Sequence, residues 1–323
     1  VDTADLIVGF NFKFDYHWLR KVGLNLEDKR LWDCQVCEFV LERQRNAYPS
    51  LDGAAAKYEL GEKIDVIKRD YWDRKIDTDQ IPWPILKEYA IQDAALTYRL
   101  YATQQPLVSE RPAMGTLLNL LFADLHILQT MEMNGITYDE ELCAARGSEL
   151  DGQIGKLRES LDQVYPEIPI NWGSPDQLSA FLYGGVIKQT VKDHVGFFKS
   201  GAKIGQPRYQ NREVQHQLPR LYTPLKGTEL AKEGFYSTNE DTLLKLKGKQ
   251  GPLKTLLELS KLEKLNGTYY RGLPKLNVEM SWPKGYLHGN FNACVAATGR
   301  LSSTKPNLQN FASELQDVFI TRF

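Results

Sequence analysis

The chain has few of the residues that staple small folds or stitch them around metals. Among its 323 residues are four cysteines, of which only Cys34 and Cys37 lie close together. Four in a chain of this size make no disulfide framework. A zinc at the close pair would need two further ligands, and the five histidines (His17, His126, His194, His216, His288) show no metal-site spacing. Reduced, structural thiols are expected. No apolar run approaches the roughly 20 residues of a membrane span, and the N-terminus lacks the basic-then-apolar pattern of a secretory signal. A soluble, intracellular chain is expected.

Net charge is also scarce, −1 overall, but its distribution is uneven. Residues 1–185 carry 19 Lys+Arg against 30 Asp+Glu, residues 186–275 carry 17 against 8, and residues 276–323 carry 4 against 3. The basic middle segment is suited to a polyanion. With 42% hydrophobic and 25% charged residues, the rest is ordinary globular composition, enough for about two domains. The chain starts at Val1, and Val318–Phe323 reads as a strand still under way, so both ends are expected to be cut.

Asp5–Phe10 is a short apolar run suited to a buried strand, and Phe14, Trp18 and Val22 then recur at helical spacing. Asn11 and Asp15 thus sit where a strand gives way to a helix, an edge that hosts chemistry in α/β folds. A helix is predicted over Pro84–Tyr101, opened by Pro82 and Pro84, with Tyr89 and Asp93 on one face. Pro106 and Pro112 mark a domain boundary. Further helices are predicted over Pro112–Asn134, closed by Gly135, and over Asp139–Val164. Another starts at the capping box Ser174-Pro-Asp-Gln177 and ends at Gly184-Gly185. Residues 186–235 lose helical periodicity and suggest hairpins with a basic surface. Helical spacing returns after Thr238 and over Pro252–Tyr270, followed by strand-like segments at Tyr286–Val295 and Asp317–Phe323.

Asp15 and Asp93, with Asn11 and Tyr89 beside them, could form half of a two-metal site. Two divalent ions can activate a water and stabilise a leaving phosphodiester oxygen, but they require about four carboxylates. A Tyr on the face of Asp93 could orient the water. Spacing alone leaves open the plainer reading, in which Asp15 caps a helix and Asp93 is one solvated charge.

Asn11-Phe-Lys-Phe-Asp15 resembles the second motif, Asn-x-x-(Phe/Tyr)-Asp, of the DEDD exonuclease superfamily. Tyr89-Ala-Ile-Gln-Asp93 resembles its third, Tyr-x-x-x-Asp, in the tyrosine variant of proofreading domains. The resemblance implies Asn11, Asp15, Tyr89 and Asp93 as catalytic residues, Asp15 and Asp93 as metal ligands, and Mg²⁺ or Mn²⁺ as cofactor. The family's first motif, Asp-x-Glu, is not represented: Asp2 and Asp5 do not match it.

Ala297-Thr-Gly-Arg-Leu-Ser-Ser-Thr-Lys-Pro-Asn-Leu-Gln-Asn310 resembles a palm segment of family A DNA polymerases, the group of bacterial DNA polymerase I and many phage replicases. By that resemblance Arg300, Asn307, Gln309 and Asn310 would read the minor groove in a largely sequence-blind way. Leu262-Glu-Lys-Leu-Asn-Gly-Thr-Tyr-Tyr-Arg-Gly-Leu-Pro274 resembles the end of the thumb helices in the same family. It would turn Lys264, Asn266, Thr268 and Arg271 toward backbone phosphates, with the run Lys245–Lys249 extending the contact.

The fold implied is an N-terminally truncated α/β ribonuclease H-like exonuclease domain (1–106), then linker helices and a mainly helical thumb (107–275), then the first strands of a palm (276–323). The implied partners are primer-template DNA and a single-stranded 3′ end, with dNTPs only in the complete enzyme, in the cytoplasm of a bacterial or phage-infected cell. The fingers helix and the metal-binding palm aspartates have no counterpart among these residues, so the isolated chain is expected to be inactive. Two alternatives stay open: a stand-alone DEDD nuclease resembling ribonuclease D, and a non-catalytic DNA-binding subunit of a split polymerase with partner chains.

Overall fold

A computed structural model describes residues 3–61, 66–201, 203–247 and 251–321. Asp2, Lys249 and Phe323, each part of an expectation above, lie outside the described residues. The chain divides into two compact units, Val1–Tyr138 with Leu276–Phe323, and Asp139–Lys275.

The first unit begins with a parallel pair, β1 (Leu6–Gly9), α1 (Phe12–Lys21) and β2 (Arg30–Asp33), with Leu6 opposite Arg30 and Gly9 opposite Asp33. Then come α2 (Cys34–Leu41), α3 (Leu51–Lys57), α4 (Val66–Asp70), the long α5 (Trp83–Ser109), α6 (Pro112–Asn134) and β3 (Ile136–Tyr138). Side chains alternate across a strand, so the pair feeds two cores. Ile7 and Leu31 join Phe12, Tyr16, Phe39, Leu118, Phe122 and Leu125. Val8 and Phe10 join Cys34, Leu51, Ala54, Leu96 and Leu100. The strands therefore lie between helical layers, an α/β arrangement.

The second unit holds α7 (Glu140–Asp162), α8 (Pro175–Tyr183), a long antiparallel ribbon of β4 (Gly185–Phe197) and β5 (Pro207–Leu218), α9 (Glu240–Lys245) and α10 (Pro252–Leu265). Caps set the helix starts. Asp139 accepts from Leu142 N at 2.9 Å, Ser174 from Gln177 N at 3.4 Å and Asn239 from Thr242 N at 2.9 Å. One core joins Ile154 and Leu161 of α7, Phe181 and Leu182 of α8, the ribbon root at Ile187 and Leu218, and Leu253, Leu256 and Leu259 of α10. A π-helical turn, Asn266–Tyr270, follows α10.

After α11 (Gly272–Glu279), the first unit resumes with β6 (Tyr286–Leu287), β7 (Asn290–Asn292), β8 (Ser302–Thr304) and β9 (Phe319–Ile320). Strand β3 lies between β6 and β9, antiparallel to both, and β7 pairs with β8.

Four expectations are corrected. Phe14 and Trp18 of α1, and Val22 just after it, are 61%, 56% and 75% exposed, and the face buried is instead that of Phe12, Lys13 and Tyr16. The helix predicted over Pro84–Tyr101 is longer, α5 running from Trp83 through Pro106 to Ser109. The neighbouring turns are pinned, Gln104 being fully buried and donating to Cys34 O at 3.1 Å and Glu38 Oε2 at 2.9 Å; that anchoring outweighs the lost backbone bond. The expected strand at Tyr286–Val295 is two short strands, and Ser313–Val318 forms a 3₁₀ turn before β9.

Candidate functional site

The turn between β1 and α1 is built around Asp33 at the end of β2. Asn11 takes the left-handed conformation (φ 53°), which Asn tolerates better than most residues. Its side chain does not cap α1. Instead the N–H groups of Asn11 and Phe12 donate to the Asp33 carboxylate at 3.1 and 2.8 Å, and those of Gln35 and Val36 donate to it at 2.8 and 3.3 Å. One buried carboxylate thus caps α2 and the turn that presents Asn11. Gly9 is required there, since a Cβ would collide with the Phe12 ring. Burial pushes the Asp33 carboxyl up against the pull of these four donors. Sequence reasoning did not single out Asp33, although an Asp directly before the apolar run Cys34–Leu41 is a legible cap signal.

Asp15 lies on the first turn of α1 and is exposed. Crowding of its carboxyl by protein raises its pKa, and the negative charge of Asp33 adds to the rise. Tyr89 and Asp93 lie one turn apart on α5, both half-buried, and the Tyr89 ring meets Trp72 edge-on at 6.1 Å. Both pairs hang on β1. Phe10, which precedes Asn11, shares an apolar cluster with Leu96, three residues beyond Asp93. Among the described residues no group of three or more His, Cys, Asp or Glu is placed to hold a metal ion. The thiols of Cys34 and Cys37 are buried, free and pushed up by burial.

Behind Asp15, α1 turns a polar face inward. The Lys13 ammonium pairs with Glu132 of α6 and donates to Phe291 O of β7 at 2.6 Å. The same carboxylate accepts from Phe291 N at 2.6 Å and meets His17 Nε2 at 2.7 Å. Burial pushes the Glu132 carboxyl up, but the hydrogen bonds from His17, Lys13 and the Phe291 N–H outweigh it and hold the group below the usual carboxylate range. The β7–β8 pair leads into the stretch that carries Arg300, so α1 and the base of that loop share one buried ion cluster.

Arg300 is exposed and makes no hydrogen bond or ion pair among the described residues. The preceding Gly299 has φ 73°, a turn conformation that favours glycine. Asn307, Gln309 and Asn310 are likewise exposed. Asn307 Oδ1 accepts from Gln309 N at 3.1 Å, and Ser303 Oγ accepts from Leu308 N at 3.2 Å, shaping the loop from within.

In the second unit Lys264 and Thr268 are exposed. The expectation that Asn266 faces phosphates is corrected: it is 4% exposed, and its amide donates to Asp151 Oδ1 at 2.7 Å and Gly147 O at 3.3 Å, tying the π turn to α7. Arg271 is exposed, but its guanidinium is engaged by Asp151 at 2.6 Å and Ser148 Oγ at 3.1 Å.

Residues 2–108 match the 3′-5′ exonuclease domain and residues 209–321 match the DNA polymerase family A domain, in the order of the motif resemblances. The chain is similar to family A DNA polymerases that carry a 3′-5′ exonuclease domain. It is 26% identical over 323 residues to the DNA polymerase of Bacillus phage SP01, covering 96% of this chain and 34% of that protein. It is 28% identical to the DNA polymerase of Escherichia phage T5, covering 94% and 34%, and 27% identical to DNA polymerase I of Synechocystis sp., covering 93% and 26%. The chain thus spans about a third of the length of these curated relatives. Its fold resembles the POL domain of Pol1 from M. smegmatis, in a complex with DNA primer-template and dNTP, with TM-score 0.63 and 24% identity over 95% of this chain and 43% of that one. The polymerase match over 209–321 sets the chain apart from a stand-alone DEDD nuclease. No described helix is long and apolar enough to cross a membrane.

Proposed function

We propose that this chain is part of a family A DNA-directed DNA polymerase, in which it grips primer-template DNA and contributes part of a proofreading 3′-5′ exonuclease, in the cytoplasm of a bacterial or phage-infected cell. In this reading residues 1–106 are a ribonuclease H-like exonuclease domain, 107–275 hold linker helices and the thumb, and 276–323 begin the palm. The observation that carries the DNA-binding part is the exposed loop of Arg300, Asn307, Gln309 and Asn310, in which Arg300 has no internal partner among the described residues. Lys264, Thr268 and, after exchange of its Asp151 partner, Arg271 join it as phosphate contacts.

On the nuclease side Asp15 and Asp93 are the proposed ligands of Mg²⁺ or Mn²⁺, with Asn11 and Tyr89 beside them. The Asp15 carboxyl is raised first by burial and then by the negative charge of Asp33, and a bound cation would offset both. Two carboxylates do not by themselves hold two ions, so the isolated chain is expected to degrade single-stranded DNA poorly with either metal. Robust digestion abolished by Asp93→Ala would contradict that. For DNA binding the test is fluorescence anisotropy with a labelled primer-template at matched salt. Arg300→Ala should weaken binding several-fold, and an unchanged affinity would refute its assignment.

A further inference from the structure

The β4–β5 ribbon is not explained by the exonuclease or polymerase motifs. Its root is fixed in the core by Ile187 and Leu218, each 2% exposed. Beyond the root, no residue of either strand is buried. At about 3.3 Å per residue the arm reaches roughly 30 Å from Ile187 to Phe197. Residues 185–218 hold six Lys and Arg against two acidic residues. The two acids are spoken for, Glu213 by Lys188 at 3.0 Å and Asp193 by Arg212 at 2.6 Å. Lys192, Lys199, Lys203 and Arg208 are exposed and have no ion pair among the described residues.

In sequence these four cations flank a cluster of rings at the outer end of the ribbon. His194 lies opposite Tyr209 in the ladder, and a register shift follows between His194 and Gly196. The His194 ring meets Tyr209 at 5.6 Å and Phe197 at 5.1 Å, in both cases edge to face. Phe197 and Tyr209 remain 58% and 56% exposed, with Val195 and Ile204 beside them at 47% and 66%. An apolar tip of this kind would suit a protein partner, but exposed rings on an arm that carries four cations without an ion pair suit a polyanion whose bases offer flat faces.

We infer that the tip of this ribbon is a binding site for single-stranded DNA, with Phe197 and Tyr209 stacking on unpaired bases while Lys192, Lys199, Lys203 and Arg208 meet the phosphates. The inference rests on the DNA-binding reading above and adds a second contact to it, remote in sequence from the Arg300 loop. Because the ribbon root carries the packing, tip substitutions leave the core intact.

The test is anisotropy of the whole chain with a labelled 20-nucleotide oligo-dT and with a blunt duplex of the same length, over a salt series, with thermal melts as a folding check. Phe197→Ala with Tyr209→Ala should lower oligo-dT affinity about tenfold or more and leave the blunt duplex unchanged. Replacing Lys192, Lys199, Lys203 and Arg208 by Ala should reduce the salt slope on oligo-dT by about 0.7 per cation engaged. If the ring variant melts early, Phe197→Leu with Tyr209→Leu keeps the bulk and removes the flat faces. Oligo-dT binding unchanged in the ring and charge variants would overturn the inference, as would an equal loss on duplex and single strand in the ring variant. A wild-type chain that binds no DNA would remove the DNA-binding reading itself. Unchanged variants of a wild type that does bind would remove only the ribbon site.

Discussion

Glu132 offers the sharpest test of how α1 is held. Its carboxylate is 5% exposed, its partner Lys13 is 11% exposed, and Phe291 N and His17 complete its contacts. Glu132→Ala would strand a buried ammonium and a buried N–H at once. Removing one partner of a buried pair costs about 3–5 kcal/mol, and Lys13 keeps only its bond to Phe291 O as compensation. We therefore expect a loss of about 3–4 kcal/mol in urea unfolding at pH 7, followed by circular dichroism and tryptophan fluorescence. Lys13→Met with Glu132→Leu removes both charges and should recover most of that loss, since an apolar pair of similar volume is often as stable. The sign with pH follows from the lowered pKa of Glu132. Its stabilisation is complete above the unfolded carboxylate value, near pH 4.3, and is lost as pH falls through the lower folded value. The Ala variant should converge on wild type in acid. A loss below about 0.5 kcal/mol at pH 7, a range typical of surface changes, would refute the cluster as a structural tie, as would parallel pH profiles.

Other outcomes follow from the same geometry. Asn266→Ala should cost about 1 kcal/mol by removing its bonds to Asp151 Oδ1 and Gly147 O while leaving the salt slope of DNA binding unchanged; Lys264→Ala should leave stability intact and reduce that slope by about 0.9 on duplex. Asp33→Ala should destabilise by about 2 kcal/mol or more, because it uncaps α2 and frees the N–H groups of Asn11 and Phe12, read as a shift in the urea midpoint. The four cysteines, all buried, should resist a thiol reagent at pH 8 in the native chain and react fully in denaturant, and fast native labelling of Cys34 or Cys37 would contradict their burial.

The elements legible in the sequence were those whose stop and start signals are local. Helix α6 runs between Pro112 and Gly135, α7 starts at its Asp139 cap, and α8 lies between Ser174 and Gly184. The inward face of α1 was not legible. Phe14, Trp18 and Val22 give the helical period but point outward, and what turns Lys13 inward is Glu132, 119 residues away. Asn266 misled for the same reason, since its partner Asp151 lies 115 residues back. The ribbon escaped periodicity because a strand exposed on both faces has no apolar alternation to show. Of the candidate site, the residue types and their order were legible. The Asp33 hub that presents Asn11 was missed, though its cap position was in view.

Strand β3 has a consequence for how the chain comes to be folded. Thr137 donates through Oγ1 to Ile320 O at 2.6 Å across 183 residues, and its other ladder partner is Tyr286 of β6. At about 5–20 residues per second, β3 leaves the ribosome on the order of 10 to 40 s before its last neighbour exists. Closing so long a loop from a disordered chain would cost roughly 5 kcal/mol. The intervening Asp139–Lys275 unit has its own core and can fold while synthesis continues. Once folded, it replaces a long floppy loop by a fixed span between its two ends. The inserted unit thus acts as an internal template, and a lesion in its core, such as Phe181→Ala, would delay completion of a sheet to which it contributes no strand.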